Sequence, residues 1–152
     1  MLPLILSVFA CAPPEYVGPE ALVPTITLLF PNPDHFSDSE KGRDICPDFQ
    51  VVVQVENFVL EDPGTVDVEG QGHWHLYIDD PDLLSYVAVG DGEVLDLPNP
   101  LEPGPYTLYA ALRQNTHGPL PDEMVDNGSD VSLSEIVVSD SEDCIGNQNV
   151  GL

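Results

Sequence analysis

Apolar and polar residues alternate with a period of two through most of this chain. No stretch of ten or more residues carries the capped 3.6-residue pattern of a helix. Side chains in a strand point to opposite faces in turn, so the alternation predicts strands with one buried face. The first covers Thr25 to Phe30 and stops at Pro31-Asn32-Pro33. A long one covers Phe49 to Leu60, with Phe49, Val51, Val53 and Val55 on one face. Val66 to Val68 reads as a short piece. Residues 73–78 follow, closed by Asp79-Asp80-Pro81, and then come a weaker strand at Leu83 to Val89 and a short one at Val94 to Leu97. Pro103-Gly104-Pro105 launches Tyr106 to Arg113, and Val131 to Val138 is the last. Gly- and Pro-bearing turns separate all of these. The pattern predicts an all-β fold, an antiparallel immunoglobulin-like β-sandwich of about seven strands. Its immunoglobulin-like features are a tryptophan on a central strand and the Pro-Gly-x-Tyr entry into a late one.

Length and charge narrow the picture. The 152 residues suffice for one domain with a real core, expected over residues 25–145, with a polar tail at 146–152. Acidic residues number 27 against three basic ones, for a net charge of −24. A surface of this sign repels phosphate backbones and anionic lipid, so nucleic acid is excluded as a partner. Disorder is excluded as well, because 42% of the residues are hydrophobic and they are patterned.

Residues 1–10 are apolar and uncharged, too short to span a bilayer but suited to the core of a secretory signal peptide. Val8-Phe9-Ala10-Cys11 resembles the lipobox of bacterial lipoproteins. That resemblance implies cleavage before Cys11 and lipidation of its thiol. Residues 11–24 then form a Pro-rich tether, with Pro13, Pro14, Pro19 and Pro24. With Cys11 lipidated, Cys46 and Cys144 remain as a pair, and an oxidising compartment would let them form a disulfide across the ends of the domain. The expected location is the bacterial cell envelope, lipid-anchored at the outer membrane or cell surface.

The candidate chemistry is in Gly72-His73-Trp74-His75-Leu76-Tyr77-Ile78-Asp79. On a strand, Trp74, Leu76 and Ile78 share the core face, and His73, His75 and Tyr77 share the other. If the 106–113 strand lies alongside, His117 sits just beyond its end, with the parity of Thr107, Tyr109 and Arg113 on the outward side. Neutral imidazoles suit copper or zinc, and three of them leave a coordination position open. The expected metal ligands are therefore His73, His75 and His117, with His35 and Asp79 as weaker additions. The competing reading is a pair of ordinary surface histidines. Asp-rich turns at 79–82 and 126–130 are candidate calcium loops without EF-hand spacing.

Gly72-His73-Trp74-His75-Leu76-Tyr77-Ile78-Asp79 also resembles the Gly-His-x-His-Leu-x-Ile-Asp signature of small exported bacterial domains of uncharacterised function. Leu101-Glu102-Pro103-Gly104-Pro105-Tyr106-Thr107-Leu108 and His117-Gly118-Pro119 answer that family's later segments in order. The resemblance covers about residues 49–138 and implies an exported domain without a known activity. Copper–zinc superoxide dismutases share a His-x-His strand but need six histidines where this chain has four. Blue-copper proteins need a free cysteine beside histidines. No serine sits in a nucleophile elbow, and no carboxylate pair stands out for acid–base work. The expected function is a non-enzymatic envelope binding module holding copper or zinc. The alternatives are a metal-free structural or adhesive module contacting protein or glycan and, third, a metal-dependent hydrolase.

Overall fold

The computed structural model describes residues 22–146. The proposed signal peptide, Cys11 and most of the tether lie outside these residues, as does the tail beyond Gly146. Eight strands are present among the described residues: β1 (Thr25–Phe30), β2 (Gln50–Glu56), β3 (Val59–Leu60), β4 (Gln71–Ile78), β5 (Ala88–Gly90), β6 (Val94–Asp96), β7 (Gly104–Gln114) and β8 (Val131–Val138). The only helical pieces among them are two 3-10 turns of three residues each, Pro33–His35 and Asp122–Met124. The strands form two sheets packed as an all-β sandwich. One has the order β1-β2-β6; the other has the order β3-β4-β7-β8, with β5 also paired to β4. Pairing is antiparallel except between β3 and β4.

The core lies between the sheets. Leu28, Phe49, Val51 and Val53 enter it from one side, and Trp74, Leu76, Leu108 and Leu112 from the other; all are essentially inaccessible to water. The period-two pattern is cleanest in β8, where Ser134, Ile136 and Val138 are buried and Leu133, Glu135 and Val137 are exposed. Trp74 directs its indole N–H to the Gly92 carbonyl at 2.8 Å. It passes so close to Gly90 that a Cβ there would overlap the ring. Tyr106 donates its hydroxyl to the Glu102 carbonyl at 2.9 Å. That contact, at the start of β7, has the form of the tyrosine corner of immunoglobulin-like sandwiches.

Three predicted strands are corrected. Phe49 to Leu60 is not one strand: Asn57 takes a positive φ of 58°, and the chain crosses from the first sheet into the second. The Asn57 side-chain amide donates to the Val23 carbonyl at 3.0 Å, which holds this bend. Val66 to Val68 forms no strand, and both valines are exposed. Residues 83–87 are likewise not a strand, and only Ala88–Gly90 pairs. The Asp80 carboxylate accepts from the backbone N–H of Leu84 and Ser85, and Leu83 has a φ of 54°. This carboxylate cap folds the segment back instead of extending it.

The expected disulfide is present. Cys46 and Cys144 have Cα atoms 5.0 Å apart and enclose a separation of 98 residues. Beside it, Ile45 bridges to both Val138 and Ile145, so the chain before β2 and the chain after β8 are tied together. A bridge across a loop of this length contributes about 2–4 kcal/mol. It also places the described domain in an oxidising, extracytoplasmic setting. Among the described residues, no helix is long and apolar enough to cross a membrane.

Candidate metal centre

β4 and β7 pair along their length, with His73 opposite Arg113, His75 opposite Ala111 and Tyr77 opposite Tyr109. Strand parity puts His73, His75 and Tyr77 on the face away from Trp74. β7 ends in a tight reversal: Gln114 N–H donates to the Gly118 carbonyl, and His117 N–H donates to the Gln114 carbonyl, both at 2.9 Å. His117 takes a φ of 70° in that turn. Its ring therefore comes back over β4. The expected parity argument is corrected here: a bend delivers His117, not a continued strand.

The three rings converge on one point. His73 Nε2 and His75 Nε2 are 3.0 Å apart, His73 Nε2 and His117 Nδ1 are 3.2 Å apart, and His75 Nε2 and His117 Nδ1 are 2.9 Å apart. Among the described residues this is the group of three or more ligating side chains close enough to hold a metal ion. His35 is exposed on the first 3-10 turn and takes no part in it. Asp79 is used elsewhere, its carboxylate accepting from the Thr107 N–H at 2.7 Å. Asp80 likewise caps backbone N–H groups, and neither candidate calcium loop forms a ligating group of this kind.

The surface-histidine reading does not hold for two of the three. His73 and His75 are 0% and 2% exposed, while His117 is at the surface. His75 is covered by the 80–87 segment, whose Tyr86 ring centroid lies 4.0 Å from that of His75, and His73 lies against the His75 and His117 rings. The strand pattern gave no sign of this cover, because 83–87 reads as a strand and not as a flap. Burial disfavours the imidazolium and pushes His73 down to about 4, with His117 and Arg113 adding to the effect. Burial likewise pushes His75 down to about 3, with His73, Arg113 and His117 as further causes. Both rings are therefore neutral at pH 7, the form that ligates metal.

Behind His75 lies a polar relay that the sequence reading did not identify. Tyr77 Oη accepts from Arg113 Nε at 3.1 Å and from Arg113 Nη2 at 2.9 Å, and it lies 3.2 Å from His75 Nδ1. An arginine only donates. Both phenol lone pairs are then engaged, and its hydrogen points to His75 Nδ1. The proton of neutral His75 accordingly sits on Nε2, inside the triangle. His73 Nδ1 is buried without a hydrogen-bond partner. The only available sequence signal for this relay was parity: Tyr77 and Arg113 were both assigned to the histidine face.

Hydrogen bonds cannot satisfy the triangle. Each nitrogen of a neutral imidazole is either a donor or an acceptor. Around three mutually adjacent atoms the two roles cannot alternate, so at least one edge sets like against like. A cation removes this conflict by accepting all three lone pairs. His73, His75 and His117 would each hold such an ion through one ring nitrogen, and three protein ligands would leave a position for a further one. The chain matches no protein-family model, and neither a curated protein nor a solved structure matches it.

Proposed function

We propose that this protein is a non-enzymatic binding module that holds one transition-metal ion, copper or zinc, through His73, His75 and His117. The observation that carries this reading is the triangle of ring nitrogens with edges of 2.9–3.2 Å. Two of its three rings are buried, and hydrogen bonds alone cannot satisfy it. All-nitrogen ligation suits both metals, which softer or harder donor sets would separate. The net charge of −24 draws cations toward the surface. In its setting, the module is a lipid-anchored protein of the bacterial envelope. The Cys46–Cys144 bridge supports the oxidising compartment, and the Val8 to Cys11 motif supports the anchor.

The test is metal content by elemental analysis after loading with copper or zinc and removal of excess ion. The expected outcome is one ion per parent chain and none on the His73→Ala/His75→Ala variant. Equal retention by both would refute the site. Incorporation of labelled palmitate, lost on Cys11→Ser, checks the anchor.

A metal-free structural or adhesive module is the second reading. The relay of Arg113, Tyr77 and His75 favours it, since that relay places a proton on His75 Nε2 where a metal would bind. Metal binding must move this proton.

A further inference from the structure

A cavity of about 480 Å³ adjoins the three-histidine centre, and its wall includes His75, His117, Tyr77, Tyr86 and Arg113. Arg113 is 8% exposed. Three of its N–H groups are used, two on Tyr77 Oη and one on the Leu112 carbonyl. A guanidinium has five, so two remain. The chain carries 27 acidic residues, yet among the described residues the ion pair is Lys41 with Asp38, and Arg113 meets no carboxylate within 4 Å. Buried charges are ordinarily paired, because an uncompensated one is costly. A divalent ion on the three imidazoles would add two more positive charges near that guanidinium.

We propose that the metal-loaded centre takes a small monoanionic carboxylate as co-ligand, with one oxygen on the open metal position and Arg113 as its second anchor. This rests on the metal reading above. The class of ligand follows from the charges. A guanidinium and a metal ion both select oxygen anions, and the planar fork of arginine fits a carboxylate. Asp82 and Asp130 also line the cavity. They repel a second negative charge, which favours a monocarboxylate over a phosphate dianion. The cavity is large enough for a carboxylate bearing several further atoms.

Cobalt(II) substituted for the native ion provides a visible spectrum that reports its ligands. Elemental analysis first establishes one cobalt per chain; a chain that holds none overturns the metal reading and this proposal with it. Acetate is then titrated into the loaded protein. The expected result is a saturable spectral change, with inorganic phosphate weaker by about tenfold or more. The cobalt-bound fraction of Arg113→Met, measured by elemental analysis, should bind acetate about tenfold more weakly than the parent. A cobalt-loaded protein blind to acetate, one that prefers phosphate, or an Arg113→Met protein that binds acetate like the parent overturns the proposal. The unmodified protein provides a check that needs no Arg113 variant. Its two arginines are Arg43 and Arg113, and Arg43→Lys assigns their Nε–H resonances. In the zinc-loaded form, the Arg113 resonance should move with acetate and saturate; a stationary resonance overturns the proposal.

Discussion

The two faces of β4 are almost equally buried and physically opposite. On the inner face, Trp74 and Leu76 are fully enclosed between the sheets, and the one polar atom, the indole N–H, has its acceptor. On the outer face, His73, His75 and Tyr77 are 0%, 2% and 2% exposed. Every one of those side chains is polar. One buried nitrogen lacks a partner, and one edge of the triangle is set against itself. Burial on the inner face drives folding through removal of apolar surface from water. Burial on the outer face opposes folding, since a stranded polar group costs about 1–3 kcal/mol. Equal exposure therefore conceals opposite contributions to stability. The costly face is the one that calls for a function.

The largest expected effect comes from breaking the inner face. Trp74→Ala should lose about 3–5 kcal/mol, measured by urea unfolding of metal-free protein. A loss under about 1 kcal/mol would mean that the indole does not anchor the core.

Next in size is the effect of metal on the outer face. Zinc at a hundredfold excess over its Kd should add about 2.7 kcal/mol to the parent. It should add nothing to His73→Leu/His75→Leu. Equal stabilisation of both proteins would place the ion elsewhere.

The remaining effect is a pH dependence. His73 and His75 titrate lower in the folded chain than the ordinary 6.5, at about 4 and about 3. The unfolded chain therefore takes up protons first. Stability is therefore highest above pH 6.5 and is lost as pH falls from there through the folded values. Protonation of surface carboxylates eases charge repulsion over part of the same range. The informative quantity is thus the stability of the metal-free parent minus that of His73→Leu/His75→Leu. This difference should fall steadily from pH 7 to pH 4; a flat difference would mean that the rings protonate freely in the folded state.

Period-two alternation was enough to read the sandwich, since β1 and β8 bury one face and β4 alternates core residues with histidines and tyrosine. It failed where conformation depends on a single residue's backbone or on a side-chain cap. Asn57 turns the chain between sheets, and Asp80 folds residues 83–87 back although they carry apolar side chains. The inner face of β4 was legible because alternation alone determines it. The histidine pair was legible for the same reason, and its burial was not, because that depends on a flap whose residues look like a strand. His117 joins the other two rings, though by a geometry different from the neighbouring-strand argument. A turn at Asn115 to Gly118 does the positioning, and turn conformation at a non-glycine residue is weakly encoded. The Arg113–Tyr77 contact spans two strands and is set by their register, which no local pattern specifies.

The position of Trp74 has one more consequence. It is the only tryptophan of the chain, and it stands between His73 and His75 with the strand backbone as the sole barrier to the triangle. Its emission comes from a dry, fixed environment, so it should be blue-shifted and uniform. A paramagnetic copper ion on the far side of that single strand would quench it, whereas closed-shell zinc would not. The protein thus carries a built-in optical gauge that reports occupancy and distinguishes the two metals without any label.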